Sequence, residues 1–275
     1  MEVMLSAQNP HFRRWMKLTG SHGRKKEGAY LVESHKLVVE ALLSGAPLEA
    51  LLWNRSQQKE LEGAFWALLE ARAGAFPSGA GDRAREIRAK SLLLAPGLFQ
   101  KLSLMTHSDG LIAVCSGTLD QEVKDPLGPC LILDRIQDPG NLGALFRSAE
   151  AFGYDTIFLI DCCDPCNPKA LRAAMGASFR LHLVALSEED WLAYQGKRRL
   201  TLYGADMVGE DYRNIRPPKG SFGLLIGNEG QGIRPRLQEG IDGRISIPMK
   251  GSVESLNAAI SAAILMAYFS ADSPS

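Results

Sequence analysis

The sequence has few of the features that mark an exported or membrane-bound chain. Its five cysteines are an odd number without the even spacing of a disulfide framework. Residues 1–15 contain no apolar core of the signal-peptide type. The longest apolar run, residues 256–269, is interrupted by polar side chains and is shorter than the roughly 20 residues that span a bilayer. We therefore predict a cytoplasmic protein with no membrane partner.

The chain also lacks an excess of charge of either sign. Its 31 basic and 31 acidic side chains give a formal net charge of zero at pH 7. This balance excludes a polybasic tail but is compatible with a local basic patch. With 45% hydrophobic and 23% charged residues among 275, the composition is that of a globular protein with one large domain or two modest ones.

Two common cofactor patterns are missing as well. The stretch 227–232 is rich in glycine but does not fit the dinucleotide pattern G-x-G-x-x-G, and residues 250–252 are not the G-K-[ST] of a phosphate loop. A site for NAD or ATP is therefore disfavoured. Cys163 and Cys166 form a C-x-x-C, but without a second pair or a nearby histidine this favours reduced loop cysteines over zinc. We predict no metal site.

The first part of the chain alternates between short helical and strand-like segments, which predicts a small α/β domain over residues 1–117. Residues 118–128 contain proline and glycine and are predicted to be a linker. Within the domain, helices are predicted at 6–19, 34–45, 57–72 and 83–94, strands at 29–32, 48–53 and 111–115, and a glycine-rich loop at 73–82.

Positive charge is concentrated in one segment of this domain. Residues 11–26 contain six lysines and arginines and no acid. A basic run with an embedded aromatic residue, Trp15, suits contact with nucleic-acid phosphates and stacking on a base. The alternative is a solvated face whose charges serve solubility. The predicted substrate-binding residues are Arg13, Arg14, Arg24, Lys25 and Lys26.

Beyond the linker the pattern becomes regular over residues 129–275. Short apolar runs alternate with helical or loop segments, which predicts a parallel sheet covered on both faces. In such sheets ligands bind beyond the carboxyl ends of the strands. The predicted strands are 130–133, 156–160, 181–186, 200–203, 222–226 and 244–247.

Two loops after these strands carry polar residues. Residues 134–143 lead into a helix on which Arg147 lies away from the apolar stripe. Residues 227–232 contain three glycines and one charge, Glu229. Taken singly, each loop has a simpler interpretation: Arg147 forms a surface pair with Glu150, and Glu229 is incidental to a hairpin-like turn.

A third loop, residues 247–257, turns at Gly251 into an alanine-rich helix. Ser255 and Asn257 lie where a helix N-terminus leaves amide donors unpaired, so this loop can bind electron-rich groups. The simpler interpretation is that Ser255 caps the helix while Asn257 faces water.

Together the three loops resemble, in order, the three motifs of the SpoU (TrmH-type) RNA ribose 2′-O-methyltransferases. The resemblance covers about residues 129–269, and the amino-terminal half is similar, less specifically, to the ribosomal-protein-like substrate-binding domain of many of these enzymes. The matching motifs are Asn141-x-Gly143-x-x-x-Arg147-x-Ala149, Gly227-Asn228-Glu229-Gly230-x-Gly232, and Ile247-Pro248-Met249-x-Gly251-x-x-x-Ser255-Leu256-Asn257.

The resemblance implies an enzyme of the SPOUT class that uses S-adenosylmethionine and folds into a parallel-sheet domain with a carboxy-terminal trefoil knot. Ribosomal RNA is the first expected substrate and transfer RNA the second. Two alternatives remain: a catalytically inactive RNA-binding assembly factor, and a nucleotide-dependent oxidoreductase, against which the missing fingerprint counts. The implied catalytic residues are Asn141, Arg147, Glu229, Ser255 and Asn257. The implied cofactor-binding residues are Gly204, Ala205, Ile226, Gly227, Gly230, Ile247, Met249, Ser255 and Leu256.

In the family, the arginine that matches Arg147 has been assigned as the base that takes the ribose proton. A free guanidinium stays protonated under ordinary conditions. We therefore expect Arg147 to bind the substrate by stabilising the developing alkoxide or an adjacent phosphate. The helix at 256–269 is apolar around most of its circumference, so its outer face needs a cover. The family resemblance predicts a homodimer through this domain.

Overall fold

A computed structural model describes residues 1–72, 80–119, 121–216, 220–251 and 255–270. The chain forms two compact units. The first comprises Met1–Thr118 and Cys166–Arg172, and the second comprises Leu119–Pro165 and Ala173–Ser275. The predicted glycine-rich loop at 73–82 lies mostly outside the described residues.

The first unit contains a five-stranded sheet in the order β1-β4-β3-β5-β2. Strands β1, β4 and β3 are parallel, and β5 runs antiparallel to both β3 and β2. The strands are β1 Glu2–Met4, β2 Ala29–Glu33, β3 Leu48–Asn54, β4 Ser91–Leu94 and β5 Leu111–Ser116. The helices are α1 Pro10–Lys17, α2 Ser21–Glu27, α3 His35–Leu43, α4 Gln58–Arg72, α5 Ala80–Ala89 and α6 Pro96–Leu102.

One predicted element of this unit is wrong. The helix predicted to reach residue 94 ends at Ala89, and Ser91–Leu94 is a strand between β1 and β3. Its four residues are too few for the alternation of a strand to stand out from helical periodicity. Strand β1 and helices α2 and α6 were not predicted.

The second unit contains a six-stranded parallel sheet in the order β11-β9-β10-β6-β7-β8. A strand occurs at each of the six predicted apolar runs, so the predicted α/β fold with a parallel sheet is confirmed. The strand predicted at 200–203 is longer than expected, because β9 continues through Gly204 and Ala205 to Asp211. The strands are β6 Cys130–Asp134, β7 Thr156–Ile160, β8 His182–Leu186, β9 Thr201–Asp211, β10 Phe222–Ile226 and β11 Gly243–Ser246. The helices are α7 Pro139–Ala151, α8 Pro168–Ala174, α9 Glu188–Arg198, α10 Pro235–Gln238 and α11 Ala258–Ser270.

Helices cover both faces of this sheet, which is why its strands β6, β7 and β10 are buried along their whole length. Successive side chains of β6 point to opposite faces. Leu131 and Leu133 join the core beneath α7 and α11, whereas Cys130 and Ile132 join the core beneath α9 and α10. Both faces of this central strand therefore require hydrophobic side chains over residues 130–133.

The predicted linker is bound to the second unit along part of its length. The Gln121 backbone N–H donates to the Leu183 carbonyl at 2.8 Å, and its side-chain amide donates to the Leu181 carbonyl at 3.1 Å. Farther along, Ser221 Oγ donates to the Pro126 carbonyl at 2.7 Å. These contacts hold Gln121 beside the edge strand β8 and Pro126 beside the residue that precedes β10.

Helix α11 packs against α7 in the hydrophobic core that also contains Leu131 and Leu133 of β6. Ala258, Ala259 and Ala262 are buried there, so these three alanines are not available for contact with a second copy of the chain. Ala263 and Ala267 remain partly exposed. The trefoil knot stays a prediction. Among the helices that the structure describes, none has the length and apolar character needed to traverse a lipid bilayer.

Candidate active site

The site forms at one edge of the second sheet. Strands β11, β9, β10 and β6 are neighbours and parallel, so their carboxyl ends meet at that edge. This is where open α/β sheets bind ligands. The loops after β6, β10 and β11 carry the three sequence motifs.

Three side chains, one from each loop, form a hydrogen-bonded chain. Asn141 Nδ2 donates to Glu229 Oε1 at 2.7 Å, and Asn257 Nδ2 donates to Asn141 Oδ1 at 3.0 Å. Asn141 is central and lies in the first turn of α7, whose cap Asp138 accepts a hydrogen bond from the Asn141 N–H at 2.9 Å. The interpretation of Glu229 as an incidental turn residue is therefore wrong.

Asn257 also begins helix α11. Its Oδ1 accepts hydrogen bonds from the backbone N–H of Ala259 at 2.9 Å and of Ile260 at 3.4 Å. The cap of α11 is thus Asn257 rather than Ser255, and the exposed Asn257 side chain is held by hydrogen bonds instead of only facing water. Ser255 is exposed and has no hydrogen bond within the part of the chain that the structure describes.

The glycine loop, residues 227–232, closes on itself. Backbone hydrogen bonds join Asn228 and Gly232 in both directions, and Asn228 Oδ1 accepts from the N–H groups of Gly230 and Gln231 at 3.0 and 3.1 Å. A Cβ on Gly227 would lie 2.3 Å from the Gly232 carbonyl carbon. Gly227 therefore permits the loop to close, and Asn228 is a structural residue that the sequence analysis did not single out.

The predicted cofactor-binding residues lie within β9, at the end of β10 and in the loops that follow β10 and β11. Gly204 lies in β9 beside β11, Ile226 ends β10 and is buried, and Ile247 follows β11. Ala205, Ile247 and Leu256 are half-buried, whereas Gly230 and Met249 are exposed.

Arg147 lies on the exposed side of α7. Among the described residues it has no hydrogen-bond or ion-pair partner. Glu150 is instead bound by Arg180, whose Nη2 donates to Glu150 Oε2 at 3.0 Å, so the simpler interpretation that pairs Arg147 with Glu150 is wrong. Helical side chains lean toward the N-terminus, which directs Arg147 toward the end of α7 that carries Asn141.

A charged network beside the glycine loop was not predicted. The carboxylate of Asp134 is fully buried and accepts hydrogen bonds from the Arg234 backbone N–H at 2.8 Å and from Arg234 Nε at 2.6 Å. Arg234 Nη1 also donates to Asp161 and Glu188, each at 2.8 Å. Burial lowers the pKa of Arg234, but the hydrogen bonds to Glu188, Asp161 and Asp134 outweigh it and raise this pKa above its usual value. The sequence signal for this network was a charged residue at the end of an apolar strand, as at Asp134 and Asp161.

The structure contradicts the nucleic-acid contacts predicted for three residues of the basic segment, Trp15, Arg24 and Arg14. Trp15 is 3% exposed and belongs to the core, so it cannot stack on a base. Arg24 is 4% exposed and donates from Nη1 to the Leu18 and Thr19 carbonyls at 3.0 and 3.3 Å, which satisfies the end of α1.

Arg14 is also engaged within the protein. Its Nε donates to Glu27 Oε2 and its Nη2 to Glu49 Oε1, each at 3.2 Å. Arg14 and Arg24 are therefore not free for phosphate contacts. Arg13, Lys25 and Lys26 are exposed and have no partner in the described part of the chain.

The cysteines of the C-x-x-C region are partly or fully buried. Burial raises the pKa of Cys162 to about 12 and that of Cys163 to about 11, so both are thiols at neutral pH. No cluster of three or more His, Cys, Asp or Glu side chains that could hold a metal occurs among the described residues.

Comparison with known proteins places both units in a family. The model of the SpoU rRNA Methylase family matches residues 128–267, and that of the MRM3-like substrate binding domain matches residues 9–113. The chain is 30% identical to the 23S rRNA (guanosine(2553)-2′-O)-methyltransferase RlmP of Bacillus subtilis, over 97% of this chain and 98% of that protein. It is 28% identical to the 23S rRNA (uridine(2479)-2′-O)-methyltransferase of Streptomyces viridochromogenes, over 95% of this chain and 90% of that one.

Solved structures give the same result. The SpoU methyltransferase AviRb from S. viridochromogenes, in complex with its cofactor AdoMet, superposes with a TM-score of 0.77 at 25% identity, covering 96% of this chain and 98% of that one. A putative RNA methyltransferase of the TrmH family from Porphyromonas gingivalis has a TM-score of 0.76 at 29% identity, with coverage of 97% and 98%. The chain is therefore a member of the SpoU rRNA methylase family.

Proposed function

We propose that this protein transfers a methyl group from S-adenosylmethionine to a ribose 2′-hydroxyl of ribosomal RNA. Family membership and two relatives named for 23S ribosomal RNA support the reaction and the substrate. The observation that carries the proposal is the hydrogen-bonded chain of Glu229, Asn141 and Asn257, because it joins all three motif loops at one sheet edge. Transfer RNA remains the second candidate substrate.

The residues in β9, at the end of β10 and after β11 fit S-adenosylmethionine. The cofactor carries no phosphate, and the proposed contact residues are glycines, apolar side chains and Ser255, without a lysine or arginine among them. A Cβ added to Gly230 would have as its nearest neighbour only Asn228 Oδ1 at 3.8 Å, and one on Gly251 would meet nothing within 4 Å. Backbone groups there are accessible to a ligand, while Ile226, Ile247 and Leu256 offer apolar surface. When bound, the cofactor supplies an electrophilic methyl group.

Arg147 acts on the substrate in this proposal. Its guanidinium is exposed and unpaired among the described residues, so its charge is available to the ribose oxygen or an adjacent phosphate. A guanidinium is a poor base but a strong hydrogen-bond donor to an alkoxide. Asn141 holds the first loop, residues 134–143, in place beside the substrate, since its Nδ2 and Oδ1 are bound by Glu229 and Asn257 of the other two loops. Alignment of this kind can supply about 7 to 11 kcal/mol of barrier reduction.

The amino-terminal unit would bind the RNA through Arg13, Lys25 and Lys26, the members of the basic segment that no described residue engages. We assign this role to residues 1–117, joined by residues 118–128 to a catalytic domain over 129–275, in agreement with the two family matches. A cytoplasmic location is part of the same proposal.

The protein is proposed to act as a homodimer through its carboxy-terminal domain. On α11, Ile260 is 53% exposed, and Ala263 and Ala267 are partly exposed on a helix without charged residues. Such a face is explained by a symmetric partner. Sedimentation of the full chain should give a dimer mass, and Ile260→Asp should shift the mass toward a monomer. A monomeric wild-type protein at micromolar concentration would contradict this assembly.

Methyl transfer is tested by incubating the protein with methyl-labelled S-adenosylmethionine and unmodified ribosomal RNA. The expected product is labelled RNA with one linkage resistant to alkali, since methylation removes the 2′-hydroxyl that alkali needs. Cofactor binding without transfer would identify the inactive assembly factor instead.

A further inference from the structure

The base of the glycine loop is held by a residue that the three motifs do not include. Arg135 directly follows β6, and its Nη1 donates to Gln231 Oε1 at 2.9 Å while its Nη2 donates to the Gly232 carbonyl at 3.2 Å. Its own carbonyl accepts a hydrogen bond from Asn228 Nδ2 at 2.9 Å. One residue of the first loop thus contacts three residues of the glycine loop.

The backbone of Arg135 is built for this contact. Its φ of 56° lies in the left-handed region, which residues with a Cβ seldom adopt. Such a conformation persists where surrounding contacts over-determine it, and here the Arg135 N–H donates to the Ile160 carbonyl at 2.9 Å. The turn directs the carbonyl and the guanidinium of the same residue to one loop.

A buried carboxylate anchors the other side of this arrangement. Arg135 Nε donates to Asp134 Oδ1 at 3.2 Å, and Arg234 binds the same carboxylate through its backbone and its side chain. Arg234 lies two residues after Gly232, so Asp134 is connected to the glycine loop through both arginines. We call Asp134, Arg135 and Arg234 the arginine clasp.

We propose that Arg135 is a positioning residue that holds the glycine loop in the form that binds the methyl donor. This proposal rests on the proposed function, because it assigns the loop to S-adenosylmethionine. The Asn141–Glu229 hydrogen bond fixes the tip of the loop, whereas the arginine clasp fixes its base. Without the Arg135 side chain, the internal hydrogen bonds of Asn228 keep the turn formed but its placement loosens.

Arg135→Gly tests the proposal without disturbing the backbone. Glycine adopts the left-handed conformation freely, and the Arg135 carbonyl that binds Asn228 is retained. The matched control is Arg199→Gly, since Arg199 has a φ of 52° at the end of α9 and an exposed side chain. Both variants remove one arginine from a left-handed position, but only the first removes clasp hydrogen bonds.

The measurement is calorimetric titration of the full-length protein with S-adenosylmethionine, supported by steady-state kinetics. Arg135→Gly should bind about 10-fold more weakly, the size expected for two lost hydrogen bonds from a charged donor to an exposed loop. The KM of Arg135→Gly for S-adenosylmethionine should rise. Its KM for RNA and its unfolding midpoint should equal those of the control Arg199→Gly. A merely structural role would lower the unfolding midpoint and leave the two KM values unseparated.

A second variant leaves the strained position untouched. Gln231→Ala removes the side chain that accepts the hydrogen bond from Arg135 Nη1, and it should weaken S-adenosylmethionine binding about 3-fold. Because the two residues contact each other, the double variant should bind no more weakly than Arg135→Gly alone.

Wild-type affinity in Arg135→Gly, equal weakening in Arg199→Gly, or additive effects in the double variant would each overturn the proposal. Failure of the proposed function has a different signature, since the wild-type protein would then bind no S-adenosylmethionine and the clasp proposal would fall with it.

Discussion

Asn257 has two roles that a pair of substitutions can separate. Its Oδ1 caps α11, and its Nδ2 donates to Asn141 Oδ1 at 3.0 Å. Asn257→Ala removes both interactions, whereas Asn257→Ser retains a capping oxygen but is too short to reach Asn141. Serine and asparagine are about equally good at this position of a helix.

The stability effect follows from the cap. Loss of an asparagine cap costs about 1 kcal/mol, so Asn257→Ala should lower the unfolding midpoint by about 3 °C in a chain of this size. Asn257→Ser should recover most of that loss. Differential scanning calorimetry measures both values.

The activity effect follows from the bond to Asn141. Without it, the Asn141 amide keeps only Glu229 as its side-chain partner, and kcat should fall about 10-fold in both variants, which corresponds to one aligned hydrogen bond of about 1.4 kcal/mol. Wild-type kcat in Asn257→Ser would refute the reasoning, because the cap alone would then account for the residue. An unchanged midpoint in Asn257→Ala would refute the capping role.

The other predictions concern charge. Arg147→Ala should abolish methylation while leaving S-adenosylmethionine affinity unchanged by titration, and substantial activity in Arg147→Lys would favour a point charge over a base. The double variant Lys25→Glu, Lys26→Glu should reduce the slope of log RNA affinity against log salt by about one unit for each of the two residues that contacts phosphate. The control is the double variant Lys59→Glu, Lys197→Glu. An equal reduction in the control would show that residues 25 and 26 belong to a solvated face and make no specific phosphate contact. Arg24→Ala should lower stability by about 1 to 3 kcal/mol, because it leaves buried carbonyls unpaired; a loss of RNA affinity with unchanged stability would contradict that role.

The sheet of the second unit was predictable because its strands β6, β7 and β10 are buried along their whole length. The apolar run at residues 130–133 is shorter than a typical helix, and Gly128 and Pro129 precede it. Ser91–Leu94 was mispredicted because four residues attached to a helix carry too little periodicity.

The motif residues were predictable in kind but not in their contacts. The motifs indicated that Asn141, Glu229 and Asn257 matter, yet only the structure shows that Asn141 lies between the other two. The Asp134–Arg234 pair joins residues 100 apart in sequence, and no local pattern specifies such a partner.

The basic segment shows the opposite failure. Composition alone made Arg13, Arg14 and Arg24 equivalent, although helix packing buries Arg24 and ion pairs engage Arg14. Arg13 alone of these three keeps an exposed side chain that the described residues do not engage. Which members of a charged run are free depends on the tertiary contacts of each side chain.

The most direct test of the account is the transfer of label from methyl-labelled S-adenosylmethionine to unmodified ribosomal RNA, with the product mapped by alkaline hydrolysis. The account predicts one alkali-resistant linkage made by the wild-type protein and none made by Arg147→Ala. Label on a base, or an RNA left unlabelled by a protein that binds the cofactor, would contradict it.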